Sequence, residues 1–294
     1  MTTRSLSYTS APPNLPTAED ILGRAARENF TVASRMLPAR SRKHLLAFYG
    51  FARLTDQLGD DYSGDRLVAL DWLESATIAA LDGSSGIHPM VADAASSVRD
   101  LRMDGQPLFD LIAANRMDQT VHSYPTFDAL IHYCSLSANP VGRLVLGAFG
   151  HHEDSLLPLA DAICTGLQLA EHWQDVSEDA RAGRIYLPEE DLARFGVDPA
   201  DLAGPGPADQ ALRALMAFEV HRARSWLDRG TPLISALSGR PRLAVAGFVA
   251  GGQAALDGIA RRDFDPLQPP TRPSAARLVR HLALTARTRP GSPR

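Results

Sequence analysis

Acidic side chains are concentrated in the stretch LQLAEHWQDVSEDARAGRIYLP, which covers residues 167–188. Glu171, Asp175 and Asp179 recur every four residues, and on a helix of 3.6 residues per turn they share one side with Gln168. Carboxylates four residues apart on a helix repel each other. Solvent screening, cationic partners or a metal ion must offset that repulsion, so this helix face is a candidate binding site.

A second acidic group lies in RKHLLAFYGFARLTDQLGDDYSGD, residues 42–65. This stretch is apolar on nearly all sides, which predicts a buried helix. Yet Tyr49, Arg53, Asp56 and Asp60 fall on one narrow stripe of a regular α-helix. Because an unpaired buried carboxylate is costly, the stripe is expected to face a polar cavity.

Two D-x-x-x-D pairs on separate helices predict a magnesium site. Oxygen ligands suit Mg²⁺, which shares its coordination shell with water and phosphate oxygens. With Mg²⁺ between them the carboxylates could bind a diphosphate, and Arg53, Arg181 and Arg184 would add positive charge nearby. A single such pair is more often a solvated surface, but two pairs, each with an arginine at helical spacing, favour the metal site.

Composition excludes several other classes of protein. The net charge is −4 and the pI about 6.1, whereas a nucleic-acid-binding protein normally has a basic excess. The two cysteines, Cys134 and Cys164, exclude a disulfide scaffold and fit a reduced cytosolic setting. Residues 1–16 lack the apolar core of a signal peptide, and the longest apolar stretch, 243–256, falls short of the roughly 20 residues of a membrane span.

Helical periodicity dominates the chain, and no Val/Ile-rich alternating run predicts a strand. Short connections between helices predict one all-α domain over residues 17–265, after a flexible segment 1–16. Pro140 is expected to bend a long helix that starts after a Thr126 cap. Helices are predicted over 17–36, 39–61, 64–81, 89–103, 106–122, 126–150, 156–181, 188–195, 207–229 and 240–262.

Over residues 26–265 or so, the motifs resemble those of the squalene/phytoene synthase family. FYGFARLTDQLGDD resembles its first Asp-rich motif, YCSLSANPVGRLVL its middle helix, and LQLAEHWQDVSEDARAGRIYLPEEDLARFGV its second Asp-rich motif. The resemblance implies a single-domain, isoprenoid-synthase-like helical bundle around a central cleft. It also implies on the order of two or three Mg²⁺ ions, held by both Asp pairs together with the substrate diphosphate.

The resemblance carries over to individual positions of this chain. Tyr49, Arg53, Arg184 and Tyr186 are expected to act in catalysis, with Arg53, Arg184 and Gln168 contacting the diphosphate. The positions expected to bind metal are Asp56, Asp60, Asp175, Asp179 and Glu171. Glu171 departs from the family, which commonly has Asn there, and this departure puts the number or affinity of the metal ions in doubt.

Within the family, three stretches look most like the bacterial hopanoid branch: ENFTVASRMLP, SANPVGRLVL and GGQAALDGIARRDFD. That branch is similar to hydroxysqualene synthases, which ionise presqualene diphosphate and capture the rearranged cation with water. Ser137 and Asn139, beside Pro140, are candidate pocket residues that could place this water. The alternative is that they only satisfy backbone groups freed by the proline.

Two other functions stay open at this point. Head-to-head condensation of two farnesyl or geranylgeranyl diphosphates, to presqualene diphosphate, squalene or phytoene, would use the same metal ligands. A catalytically silent helical assembly or binding protein would be indicated by loss of one Asp pair, and both pairs are present. The sequence contains no predicted strand followed by a Gly-rich turn, which is the pattern of a dinucleotide-binding site. This favours a reaction that needs no reductant.

Residues 266–294 are predicted to form a loose Pro/Arg-rich tail, with six arginines and no acid from residue 272 onward. Such a segment could lie on an anionic membrane near a lipid substrate, or it could be a disordered basic tail. The expected setting is therefore cytoplasmic, and peripheral at the inner membrane face if the tail binds lipid. The expected ligand is an isoprenoid diphosphate, and no binding of nucleic acid is expected. Neighbouring enzymes of the pathway are candidate protein partners.

Overall fold

Helices make up the regular secondary structure of the computed structural model. Within the residues that it describes no β-strand forms, and the β-type pairing there is an isolated parallel bridge between Ser123 and Ile185. The all-α prediction is confirmed. The structure describes residues 11–19, 21 and 39–268. Most of the predicted helix 17–36, the stretch ENFTVASRMLP and the tail after residue 268 therefore lie outside the described residues.

The chain divides into two compact units. The first unit comprises Met1–Thr120 and Leu144–His152, and the second comprises Val121–Arg143 and Glu153–Arg294. The boundaries predicted for a single domain, residues 17–265, stay a prediction.

In the first unit, α1 carries the first acidic motif and packs with its neighbours through fully buried leucines and Phe51. Asp65 caps α2, because its carboxylate accepts a hydrogen bond from the Val68 amide at 3.1 Å. Arg102 ends α3 in a left-handed conformation, with φ of 55°. The helices are α1 (Ala39–Asp56), α2 (Arg66–Leu81), α3 (Pro89–Leu101) and α4 (Gln106–Met117), with a π-helical segment, Gln57–Asp61, directly after α1.

In the second unit, α7 carries the second acidic motif and is packed by α9 and α11 along its length. Glycines permit this close packing: a Cβ on Gly166 of α7 would come within 2.8 Å of the Leu227 side chain of α9. The helices are α5 (Phe127–Ser137), α6 (Asn139–Ala148), α7 (Leu157–Arg181), α8 (Glu189–Phe195), α9 (Gln210–Gly230), α10 (Pro232–Ala236) and α11 (Gly239–Arg261). α6 begins in the second unit and ends in the first.

At Pro140 a bend was predicted within one helix over residues 126–150, and the structure instead has two separate helices there. Thr126 caps α5 by accepting a hydrogen bond from the Ala129 amide at 3.2 Å. The helix then stops at Ser137, and α6 starts at Asn139 after a single intervening residue. Proline lacks the amide hydrogen and its ring clashes with the preceding turn, so the hydrogen-bond ladder cannot continue through this point.

Three local features differ from the sequence prediction. The helix predicted to continue to residue 122 ends at Met117, the short α10 was not predicted, and residues 57–61 form a π-helix rather than an α-helix. Helix boundaries and short or irregular turns of this kind are not reported by hydrophobic periodicity.

The prediction that no apolar stretch is long enough to span a membrane needs a correction at α11. Its apolar stretch was expected to be too short, yet the helix spans 23 residues and, by length and composition, is the one helix among the described residues that could cross a membrane. More than half of its most apolar window is buried inside the protein. That burial is typical of a core helix.

Candidate active site

The first acid face, Asp56 and Asp60, lies where α1 changes into the π-helical segment. Asp56 is the last residue of α1 and Asp60 lies within the π turn. The stripe predicted from the sequence requires one regular α-helix through both residues, and the structure corrects that prediction. A π turn is wider than an α turn, so Asp60 lies at a different angle from the one that the α-helical stripe predicted. Single π turns within α-helices are frequent at functional sites.

Residues at the end of α4 and at the start of α2 hold the π turn in place. The Gln119 side chain donates a hydrogen bond to the Gly59 carbonyl at 3.0 Å. Asn115, which is buried, packs so tightly on Gly59 that a Cβ there would overlap its Oδ1 atom. Arg66 donates to the Asp60 carbonyl at 2.6 Å. Glycine is therefore required at position 59, and periodicity gave no signal for the roles of Asn115 and Gln119.

Asp56 is held among partly compensating charges. Burial raises the pKa of its carboxyl to about 6, while a hydrogen bond from Asn115 and the charge of Arg53 oppose that rise. The charges of Asp60 and Asp118 add to it. The Arg53 guanidinium lies 4.0 Å from the Asp56 carboxylate. Tyr49, which lies one turn before Arg53 on α1, is half-buried, and Asp60 is exposed.

The second acid face, Glu171, Asp175 and Asp179, lies on a continuous α-helix, α7. Asp175 and Asp179 are half-buried and Glu171 is exposed. Burial, followed by the charges of neighbouring acids, raises the pKa of Glu171 and of Asp175. The same causes raise the pKa of Asp179 to about 7. This face therefore favours the binding of a cation.

Arg184 supplies the opposing charge at the second acid face. Its amide donates to the Asp179 carbonyl at 2.8 Å, and its guanidinium charge lowers the pKa of Asp179 against the larger upward effects. Among the described residues, none of the three acids of this face forms an ion pair within 4.0 Å. Arg181, at the last position of α7, is exposed.

Tyr186 is positioned by a pairing between two chain segments of the second unit. Residues 122–125 lead into α5, and residues 184–189 lead from α7 into α8. The Ile185 amide donates to the His122 carbonyl at 2.8 Å, and the Glu189 amide donates to the Tyr124 carbonyl at 2.9 Å. The two segments therefore run side by side, which fixes Arg184 and Tyr186 relative to α5.

A cluster of buried rings surrounds Tyr186. Its ring stacks on His172 of α7, with centroids 3.6 Å apart and planes at 14°. Tyr124 lies 5.8 Å and Tyr133 5.9 Å from the same ring. Burial lowers the pKa of His172 to about 3, so its imidazole is neutral, and a ring nitrogen lies 3.1 Å from the Gln168 amide nitrogen. Gln168 and Tyr186 are among the site residues predicted from the sequence, whereas their contacts with His172, Tyr133 and Tyr124 were not predicted.

Ser137 and Asn139 lie at the break between α5 and α6. The Ser137 hydroxyl donates to the Tyr133 carbonyl at 3.1 Å. The buried Asn139 side chain accepts a hydrogen bond from the Thr165 hydroxyl of α7 at 3.0 Å. These bonds are of the kind that satisfies polar groups freed by a proline. The assignment of both residues to a substrate pocket stays a prediction.

The donor atoms suit magnesium bound together with a ligand. Within the part of the chain that the structure describes, no three His, Cys, Asp or Glu side chains converge on one metal position. Mg²⁺ commonly binds through one or two carboxylates, waters and substrate phosphates, without a cage built wholly from protein. Each acid face offers a pair of carboxylates of that type. Beside Asp175 and Glu178, a groove of about 220 Å³ also opens in the second unit.

Comparisons with known proteins give a consistent result. A family model for squalene/phytoene synthases matches residues 24–280. A phytoene synthase of Arthrospira platensis is 34% identical over 253 residues, covering 81% of each chain. A hydroxysqualene synthase of Rhodopseudomonas palustris is 35% identical over 207 residues, covering 70% of each chain. The crystal structure of squalene synthase HpnC from Alicyclobacillus acidocaldarius is similar with a TM-score of 0.79 at 38% identity, covering 85% of this chain and 93% of that one.

Proposed function

The chain belongs to the squalene/phytoene synthase family, and from that premise we propose that it ionises presqualene diphosphate and captures the rearranged cation with water. The product would be hydroxysqualene, on a route to squalene and hopanoids. The observation that carries the proposal is the second acid face, whose mutually repelling carboxylates favour a cation and, through it, a diphosphate. Similarity to a hydroxysqualene synthase and to a squalene synthase supports the choice of substrate.

Members of this family use prenyl diphosphates and generally depend on a divalent metal. Mg²⁺ would neutralise the charge that develops on the departing diphosphate. Asp56, Asp60, Asp175 and Asp179 would hold the ions, on the order of two or three with the diphosphate, and Glu171 would tune their affinity.

The remaining polar residues would act on the substrate directly. Arg53 and Arg184 would stabilise the charge of its diphosphate, since guanidinium groups bind phosphate oxygens by paired hydrogen bonds. Gln168 would contribute a further hydrogen bond. Tyr49 and Tyr186 would orient the reacting end of the substrate, and the stack of Tyr186 on neutral His172 keeps that ring in one position.

The proposed reaction balances without a reductant. The C–O bond to the diphosphate breaks, and the electron pair leaves with the diphosphate. The carbocation rearranges, a water oxygen bonds to it, and the proton of that water passes to a base or to solvent. Ser137 and Asn139 are the proposed groups that place the water. Squalene formation would instead require a hydride, normally from NADPH.

Head-to-head condensation is the second candidate reaction. The phytoene synthase relative supports it, because its identity of 34% is nearly that of the hydroxysqualene synthase and it covers more of the chain. The acid faces would serve either reaction. A non-catalytic role is not favoured, since both Asp pairs are intact in a chain of an enzyme family.

Product analysis tests the proposal. Purified protein with Mg²⁺ is incubated with presqualene diphosphate in ¹⁸O-water, with and without NADPH, and in parallel with farnesyl or geranylgeranyl diphosphate. Labelled hydroxysqualene in both presqualene tubes is expected. Squalene that forms only with NADPH, or phytoene from geranylgeranyl diphosphate as the main product, would overturn it.

The setting proposed for this reaction is the cytoplasm, with peripheral contact at the inner membrane face through residues 266–294. A lipid substrate and an arginine-rich segment support such contact. Neighbouring pathway enzymes are the proposed protein partners.

A further inference from the structure

Arg222 of α9 is the centre of a polar cluster outside the residues assigned above. Its guanidinium donates two hydrogen bonds to Asp191 of α8, at 2.8 and 3.3 Å. It donates a third to Glu219, also on α9, at 3.3 Å. Asp191 and Glu219 are almost wholly buried, with side-chain exposures of 4% and 0%. Paired hydrogen bonds of this kind fix orientation as well as distance.

The same guanidinium stacks on the first residue of α5. It lies 4.0 Å from the centre of the Phe127 ring and 4.4 Å from that of Phe218. Glu190, next to Asp191 in α8, accepts a hydrogen bond from the Phe127 amide at 2.7 Å. Arg222 therefore joins the start of α8 to the start of α5, with a charge pair to one helix and a cation–π contact to the other.

The starts of α5 and α8 directly follow the two paired segments described above. The segment 122–125 runs into Phe127, and the segment 184–189 runs into Asp191. Arg184 and Tyr186 lie on the second of these segments, and the Glu190 amide continues the pairing by donating to the Pro125 carbonyl at 3.1 Å. An element that holds both helix starts also limits how far the two segments can slide or separate.

We infer that Arg222 is a positioning residue, which holds the paired segments so that Arg184 meets the substrate diphosphate and Tyr186 meets the reacting end of the substrate. The inference rests on the proposed function, because it takes these roles of Arg184 and Tyr186 from it. It does not depend on which product forms. A displacement of about 1 Å at such ligands can cost a hundredfold in rate, so a residue distant from the reaction can matter this much.

Arg224 provides a matched control on the same helix. Its guanidinium donates to Asp257 at 2.6 Å and to Gln253 at 3.2 Å, both on α11. Its side chain is 30% exposed, against 20% for Arg222. Both residues thus join α9 to a neighbouring helix through a carboxylate, but among the described residues the hydrogen bonds of Arg224 go to α11 and not to either paired segment.

The first measurement is the affinity of the full chain for inorganic diphosphate with excess Mg²⁺, by calorimetry, for Arg222→Gln and Arg224→Gln. At a temperature where both variants are folded, Arg222→Gln is expected to weaken binding at least about tenfold and Arg224→Gln less than about threefold. Equal losses in the two variants would overturn the inference. This readout needs no turnover, so it also separates a failure here from a failure of the proposed reaction.

The second measurement is a double-mutant cycle with Arg184→Gln. If Arg222 acts through the segment that carries Arg184, its replacement should weaken diphosphate binding much less in the Arg184→Gln background than in the wild type. The losses in melting temperature should instead be additive. Additive losses in affinity would mean that Arg222 only stabilises the fold. If Arg222→Gln does not fold, Arg222→Lys and Arg224→Lys, which keep the charge but not the paired hydrogen bonds, are compared under the same criteria.

Discussion

The two acid faces are alike in sequence and different in construction. At the first, Arg53 and a hydrogen bond from Asn115 counter the effect of burial on Asp56, and a π turn carries Asp60. At the second, a continuous α-helix places three acids in line, and after burial the largest effect on Asp179 is the charge of Asp175. Groups of its own unit partly offset the cost of the charge at the first face, whereas the acids of the second face repel each other more and favour an added cation more strongly. The same D-x-x-x-D spacing can therefore describe two sites with different demands for metal.

The largest expected effect comes from neutralising one aspartate of each face. Asp56→Asn and Asp175→Asn should each lower turnover at least about a hundredfold, because the departing diphosphate loses a charged metal ligand. Melting temperature should change little, since Asn has nearly the same size as Asp. The exposed Asp93→Asn on α3 is the matched control and should retain full activity. Near-normal turnover in either face variant would remove that face from the metal site.

The second prediction compares glycines in different surroundings. Gly59→Ala would press a methyl group on Asn115, which should destabilise the protein by about 1–3 kcal/mol, as overpacking commonly does. Gly247 of α11 has no atom within 4 Å of an added Cβ, so Gly247→Ala should stabilise by about 0.4–1 kcal/mol. Chemical denaturation measures both. A Gly59→Ala variant as stable as the wild type would show that the π turn is loosely packed.

The third prediction concerns pH in the absence of metal. Folding raises the pKa of Asp179 to about 7 and that of Asp56 to about 6, so the folded protein holds these protons more tightly than the unfolded chain. The stability that they contribute is complete below the unfolded pKa and is lost as pH rises through the folded pKa. In EDTA, melting temperature should therefore fall from about pH 4 to about pH 7.

Substitution assigns that fall to the individual faces. Asp179→Asn cannot ionise and should flatten the decrease over the whole range. Asp56→Asn should flatten only its lower part, because the pKa of Asp56 is the smaller of the two. A wild-type profile in both variants would contradict the greater electrostatic cost assigned to the second face.

The smallest expected effect is at Glu171. Glu171→Asn restores the residue common in the family and removes one negative charge from the second face. Activity at saturating metal should persist, and the Mg²⁺ concentration for half-maximal rate should rise about fivefold, as expected for the loss of roughly 1 kcal/mol of attraction at an exposed position. An inactive variant would mean that Glu171 has a direct catalytic role.

Sequence reasoning predicted the features that repeat along the chain. The helical content, the Thr126 cap and the family followed from periodicity, cap residues and motifs, and Pro140 was identified as the place where the helix is disturbed. The placement of Asp175 and Asp179 along one continuous helix also followed, because α7 is regular from Leu157 to Arg181.

Features that depend on distant partners could not be predicted in this way. The π turn is held by Gln119 and Asn115, which are about 60 residues from Gly59 in the chain. Arg222 meets Asp191 across 31 positions and Phe127 across a still longer separation. His172 shares a helix face with the acids by its spacing, but its stack on Tyr186 gave no signal in the sequence. Patterns within a single sequence report local spacing and therefore do not indicate which distant residues will contact each other.

The π turn also determines how this region responds to a change in length. Deleting one residue between Gln57 and Asp61 would let the helix resume its ordinary i→i−4 ladder. In a regular α-helix the loss of one residue turns every later residue by about 100° and draws it back by about 1.5 Å, but the π turn holds one residue more than an α turn and would absorb most of that change. Asp60 would then lie three residues after Asp56, within about 60° of it around the helix. A one-codon deletion would therefore shorten the turn without moving the first acid face to another side of the helix, whereas a side chain added at position 59 would meet Asn115.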